Sequence, residues 1–354
     1  MMEQKKRQSN FELLRILLIF VIVAYHLMLY TGCFFVGLSK NMVIGFFLSS
    51  GGAITADYAF IALTSYFLLE TRDCPVIRRF LSFGAQVLTL YVIRFVVIRS
   101  LWGLNTGNWF VEDFIMKGAW WFVTSYMILL LIYPVLNIII EKMPRAIHGF
   151  VCLVLGFWFL WNGYTLQINT INDLLAFVFT YMVMGYLRRS NYRRWILPTK
   201  KRWMALIYIA GFLFTFLFGL YVKIPGVVAN EDVANELIQH LIGKYAPIQF
   251  VMGIAVFFFF RSLPVKQSDK INQFAKNVFF IFLLHEMVMG VYWYFGRLDG
   301  MYPYYSTKGF LGWLLIYEAS CLVVGVLVQK LYSRFLAPLW GTVIDWICKK
   351  CSFR

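Results

Sequence analysis

Charge is what this chain has least of. Aspartate, glutamate, lysine and arginine together make up 14% of its 354 residues, and the acidic ones number only 17. A soluble globular domain carries about a quarter charged residues, so that class is excluded. The 61% hydrophobic and 19% aromatic content points instead to a polytopic membrane protein. Cysteine is sparse as well, and the six present form no disulfide framework. Cys33 is expected at the outer edge, Cys74 inside, Cys152 and Cys321 within spans, and Cys348-Lys-Lys-Cys351 in the tail. A single Cys-x-x-Cys without a second pair or neighbouring histidine falls short of the four ligands of structural zinc, so no metal is expected. Internal repeats and low-complexity runs are missing, which weighs against the repeat-built transporter folds. No stretch between spans is long enough to bury its own core, so any chemistry must come from helices and short loops.

What is present is a series of apolar windows of near-spanning length: 16–39, 41–69, 80–98, 118–140, 146–172, 171–187, 203–222, 245–260, 277–296 and 309–329. They predict an all-α transmembrane bundle of about ten spans. The first is too long for a signal-peptide core and lacks an Ala-x-Ala cleavage pattern, so it is expected to be retained. The net charge of +16 is mostly a topology signal rather than a nucleic-acid footprint. With the N-terminus placed inside, 24 lysines and arginines fall on cytoplasmic segments and 7 on the opposite side, which predicts a multi-pass cell-membrane protein with both termini in the cytoplasm.

Arg15 and His26 stand eleven residues apart in the first span. Eleven steps of 100° return to about 20° from the starting direction and rise about 16 Å, so the two side chains share one face. Both are costly in hydrocarbon and should turn toward protein or a watery cavity. Histidine suits general-base work near neutral pH, and arginine suits bidentate phosphate recognition. Arg78 and Arg79, at the cytoplasmic start of the third span, are either further phosphate contacts or flanking positive charge.

The ninth span carries His285-Glu286 and the tenth Glu318. Counted from the span ends, His285 lies about 12 Å above the inner edge and Glu318 about 13 Å below the outer edge, both near the depth of His26. Adjacent helical residues point about 100° apart, so only one of His285 and Glu286 is expected to line a given cavity. Arg94 needs a carboxylate partner, for which Asp57 and Glu318 are the candidates. Asn230, with Val233, Leu237, Ile238, Leu241 and Ile242 after it, reads as a capped amphipathic helix, either interfacial or a lid. Leu336, Leu339, Trp340, Val343, Ile344 and Ile347 repeat that pattern in the tail. Trp102, Asn105, Asn108, Trp109, Glu112 and Asp113 in an outer loop form either an interfacial aromatic belt or a sugar-binding surface.

The stretch Asn10-Phe-Glu-Leu-Leu-Arg15 followed by ten residues and His26 resembles the opening motif of the acyltransferase-3 integral-membrane acyltransferases, many of which O-acetylate polysaccharides. Phe60-Ile-Ala-Leu-Thr-Ser-Tyr-Phe-Leu-Leu69, Trp120-Trp-Phe-Val-Thr-Ser-Tyr126, Tyr133-Pro-Val-Leu-Asn137, Met182-Val-Met-Gly-Tyr-Leu-Arg188 and Phe280-Ile-Phe-Leu-Leu-His285 are similar to further elements of that family, in the expected order from about residue 8 to 290. The resemblance implies a transmembrane acyltransferase domain over 1–334 with a cytoplasmic amphipathic tail over 335–354. It implies His26 as catalytic residue, and Arg15, Arg78 and Arg79 as donor contacts. His285, Glu286, Glu318, Arg94 and Asp57 remain supporting candidates. The co-substrate would be acetyl-CoA or another acyl-CoA, no cofactor would be bound, and the acceptor would be a glycan or glycolipid hydroxyl. One departure stands out: Ser65 replaces the glycine usual in the family's Ser-Gly-Tyr element.

The competing readings are a transporter or flippase of a lipid-linked glycan precursor and a catalytically silent assembly subunit. The basic-residue bias makes a direct prediction. Topology reporters placed after Arg354 and near Asn191 should read cytoplasmic, and one near Asn230 external. A reversed reading at either of the first two sites would remove Arg15 from the cytosolic side.

Overall fold

In a computed structural model, the residues described are 7–30, 38–50, 52–71, 76–102, 121–159, 170–188, 200–294 and 309–350. Among them there is no strand. The helices are α1 (Ser9–Tyr30), α2 (Lys40–Ser50), α3 (Ala53–Leu68), α4 (Val76–Trp102), α5 (Trp121–Lys142), α6 (Arg145–Phe157) and α7 (Thr170–Arg188). They continue as α8 (Lys201–Val222), α9 (Glu231–Ile242), α10 (Pro247–Arg261), α11 (Asp269–Phe274), α12 (Val278–Tyr294), α13 (Phe310–Leu331) and α14 (Ala337–Lys350). Helix is the only economical choice for such apolar segments, because it satisfies the backbone internally where water is absent.

Among the described residues, seven helical stretches are long and apolar enough to cross a membrane: Ser9–Leu29, Lys40–Leu68, Val76–Val97, Trp121–Lys142, Lys201–Val222, Glu231–Arg261 and Phe310–Lys350. The other three windows expected from the sequence fall on the shorter apolar helix α6 and on α7 and α12. The outer-loop residues Asn105, Asn108, Trp109, Glu112 and Asp113 lie outside the described residues.

The chain divides into two compact units, Met1–Phe60 with Pro198–Gln329 and Ile61–Leu197 with Lys330–Arg354. In the first, α1 packs against α2, α10, α11 and α12, and α8 lies along α10 with α9 beside both. Asn230 caps α9 as its sequence pattern predicts, its side chain accepting from the Val233 N–H at 2.9 Å. Ala234, Ile238 and Ile242 form the buried centre of that helix, while Val233, Leu237 and Leu241 flank it half-buried. Lys223, buried at the end of α8, donates to Asn235 of α9 at 2.7 Å.

Two glycines let helices of this unit meet at backbone distance. A Cβ on Gly253 of α10 would stand 2.6 Å from Tyr58 Cβ and 2.8 Å from the Thr55 carbonyl oxygen of α3. One on Gly325 of α13 would stand 2.4 Å from Ile281 Cγ1 and 2.9 Å from Ile281 Cα in α12. Small residues at such crossings maximise van der Waals contact, the main attraction left between helices in lipid.

In the second unit, α5 runs along α7 and α6 packs on α7. The polar groups here are tied across helices: Tyr181 Oη donates to Asn137 Oδ1 (2.6 Å), Asn137 Nδ2 to the Leu68 carbonyl (3.2 Å) and His148 Nε2 to the Met182 carbonyl (3.0 Å). Arg188 lies over the Tyr66 ring at 4.5 Å and donates to the Tyr66 carbonyl and the Glu70 carboxylate. Pro134 interrupts the ladder inside α5. A π turn over Tyr332–Leu336 leads directly into α14, which packs on α4 with Trp340 Nε1 donating to Thr89 Oγ1 at 3.0 Å. Of the apolar positions expected in the tail, Ile344 is buried and Leu339 and Val343 are exposed.

Gly325→Ala should destabilise the protein by about 1–3 kcal/mol, the cost of overpacking, instead of giving the gain of about 1 kcal/mol expected for Gly to Ala in an open helix. Adding Ile281→Ala should restore only part of that loss, because the Ile281 backbone itself is in the way. Thermal unfolding in detergent measures both; an unchanged midpoint for Gly325→Ala would show that the two helices separate without cost.

Candidate active site

The site grows from α1. Arg15 Nη1 donates to Glu12 Oε1 at 2.6 Å, one turn back on the same helix, and Arg7 Nη1 reaches the other oxygen of Glu12 at 3.5 Å. Glu12 is only 3% exposed. A buried carboxylate is stable only when paired, so it orders both guanidinium groups near the start of the helix. Sequence inspection passed over Glu12, although an acid three residues before an arginine is a recognisable helical pair.

Three turns further on, His26 is half-buried. Its Nδ1 lies 2.9 Å from the Ile22 carbonyl. A carbonyl can only accept, so Nδ1 is the donor, and in the neutral form of the ring the lone pair is at Nε2. The His26 ring stands edge-on to Tyr25 at 5.7 Å and faces the His285 ring of α12 with centroids 4.8 Å apart. His285 follows the same rule, its Nδ1 donating to the Phe282 carbonyl of its own helix.

His26, His285 and Glu286 offer nitrogen and oxygen atoms that all lie within 4.8 Å of one another. This corrects the expectation that only one of His285 and Glu286 would face a given cavity. The 100° between adjacent residues applies at Cβ and does not fix where the ends of the side chains lie. His285 is buried and Glu286 half-buried. Among the described residues, Glu286 and Lys244, which precedes α10, act electrostatically on His26.

Tyr317 of α13 is buried and its hydroxyl donates to the His285 carbonyl at 3.1 Å, tying α13 to α12 at the site. Glu318 follows it on α13, half-buried, with one carboxylate oxygen buried and not hydrogen-bonded. It is outside the three-residue cluster. Nearby, Thr55 Oγ1 donates to Gln249 Oε1 (2.6 Å) and Gln249 Nε2 to the Leu241 carbonyl (2.8 Å), while Tyr58 Oη donates to the Lys244 carbonyl (2.7 Å). These bonds hold the segment that carries Lys244. Neither Lys244 nor Tyr317 was marked by a sequence pattern.

The remaining candidates are distributed between the units. Asp57, buried in α3, belongs to the first, and Arg94, half-buried in α4, to the second. Arg78 and Arg79 lie in the first turn of α4, also in the second unit. Arg78 pairs with Asp345 of α14 at 2.8 Å, and Arg79 lies 5.9 Å from the Tyr133 ring centre. Ser65 is fully buried, and its hydroxyl donates to the Ile61 carbonyl one turn back at 2.7 Å. The group that replaces a glycine hydrogen is thus satisfied within its own helix.

A cavity of about 330 Å³ adjoins a different face of α1, lined by Leu14, Leu18 and Val21 together with Met204, Tyr208 and Phe259 among others. It contains neither Arg15 nor His26.

Comparison with known proteins narrows what this arrangement can be. No curated protein and no solved structure matches the chain. A family profile described as an acyltransferase domain matches residues 8–329, which takes in α1 with Arg15 and His26, α12 with His285 and Glu286, and nearly the whole of α13. The chain therefore belongs to the acyltransferase-3 family and is a membrane acyltransferase.

Proposed function

We propose that this protein transfers an acyl group, acetyl in the simplest case, from cytosolic acyl-CoA to a hydroxyl of a cell-envelope or secreted glycan or glycolipid. The observation that carries the reading is the meeting of His26 with His285 and Glu286, on the helix that also bears Arg15, with His26 Nδ1 engaged by the Ile22 carbonyl. In the reaction, the acceptor oxygen attacks the thioester carbonyl while His26 Nε2 takes the hydroxyl proton. The C–S bond breaks as the C–O ester bond forms, and the imidazolium returns the proton to the departing thiolate, leaving free CoA. Glu286, close to His26, would offset the positive charge that His26 carries in between.

Arg15 is proposed to hold donor phosphate, with Glu12 setting its guanidinium. The pantetheine arm would then bridge the roughly 16 Å along α1 to His26, and the CoA phosphates would stay at the cytosolic surface, since charge enters hydrocarbon only at high cost. Arg78 and Arg79 are proposed as further phosphate contacts. The acceptor would approach from the outer side, so that donor and acceptor enter from opposite faces of a ten-span bundle in the cell membrane with cytoplasmic termini.

His26→Ala should abolish acyl transfer while leaving donor binding within a few-fold, because a base acts on the proton in flight and not on the bound ground state. Arg15→Ala should weaken donor binding by about 1.5–3 kcal/mol, the worth of one charged hydrogen-bonding contact. Near-full turnover by a folded His26→Ala protein would show that His26 is not the base. In oriented proteoliposomes with acetyl-CoA confined to the cytoplasmic face, acetylated acceptor should collect on the other face. Product found only on the donor side would defeat the two-sided route, and no turnover with any acceptor would favour transport or assembly.

A further inference from the structure

His26, His285 and Glu286 are three Lewis bases converging on one half-buried point. Both imidazoles donate their Nδ1 proton to a carbonyl of their own helix, His26 to Ile22 and His285 to Phe282. Backbone carbonyls hold metal-ligating histidines in the same way, fixing the tautomer and turning Nε2 toward the ion. Two imidazoles and one carboxylate form a three-ligand set that zinc accepts with a fourth position open. Magnesium and calcium, which require mostly oxygen ligands and more of them, are poorly served by it.

We propose that this cluster is a binding site for a divalent ion of the zinc class, and that occupancy blocks acyl transfer by engaging the His26 lone pair. The second half rests on the function proposed above; the first does not. The ligand atoms lie within 4.8 Å of one another, whereas a tetrahedral ion with bonds near 2.0–2.1 Å wants them about 3.4 Å apart. Closing that gap takes a shift of about 1–1.5 Å in one or more of the three side chains, and the Tyr317 bond to the His285 carbonyl anchors the backbone from which they move. Lys244, within electrostatic range of His26, opposes a dication. Glu286 offsets one positive charge. The site is accordingly an exchangeable one that fills and empties with metal concentration, not a permanent structural centre.

The test uses the full chain carrying Cys348→Ser and Cys351→Ser, so that the tail thiols bind no metal. The protein is stripped with chelator, equilibrated with zinc chloride in detergent, and its bound zinc counted by mass spectrometry. About one chelatable zinc per chain is expected. His285→Ala and Glu286→Gln should each weaken binding by roughly tenfold or more, since loss of even an outer-shell partner of a ligand costs about that much. Lys244→Met should tighten it several-fold, a gain that a misfolded protein would not show. Cobalt in place of zinc should give the visible bands of a four-coordinate nitrogen and oxygen site without thiolate charge transfer.

No zinc above background, even with Lys244→Met, would overturn the site. So would zinc retained at full affinity by both His285→Ala and Glu286→Gln. Reversible loss of acyl transfer on zinc addition, restored by chelator, would support the inhibitory half; bound zinc with undiminished transfer would overturn that half alone. If stripped protein shows no acyl transfer at all, the function proposed above fails with the inhibitory half, while the zinc count still decides the binding half.

Discussion

Inside an apolar bundle a polar side chain has no water to fall back on, and the arrangement of this protein follows from where each polar group finds its partner. The helix backbone is the nearest supply. Ser65, His26 and His285 all donate to carbonyls three or four residues earlier in their own helices. Where the local backbone does not serve, bonds run between helices: Tyr181 to Asn137, His148 to Met182, Thr55 to Gln249. Each is a commitment to one helix register, because sliding by a residue would bury the group unpaired at a cost of about 1–3 kcal/mol.

That constraint also shapes the candidate site. The Nδ1 contact of each histidine with its own helix carbonyl sets which nitrogen is the donor, and it does so with backbone alone. The close approach of α12 and α13 at Gly325 and the Tyr317 bond to the His285 carbonyl then set where the Glu286 charge stands. Basicity is thus set within each helix and charge placement between helices, so a substitution can disturb one without the other.

Much of this was legible in the sequence. Apolar runs mark helices because few other structures bury so many consecutive apolar residues, and the Asn230 cap follows from an acceptor side chain placed ahead of an acidic first turn. The shared face of Arg15 and His26 is simple helical arithmetic. What escaped depends on reach and on distant neighbours. Helical angle alone separates His285 from Glu286, yet their nitrogen and oxygen atoms lie within 4.8 Å of one another. Arg188 finds the Tyr66 carbonyl and Glu70 across more than a hundred residues of chain, with no local pattern to announce it. Lys244 acts on His26 at a distance, on a segment that Tyr58 ties down, and nothing in its immediate sequence marks it.

Helix α1 also separates two environments. The side chains of Leu14, Leu18 and Val21 help to wall a greasy hollow, while Arg15 and His26 leave the same cylinder in another direction. Whatever fills the hollow therefore meets α1 on a side that presents neither Arg15 nor His26.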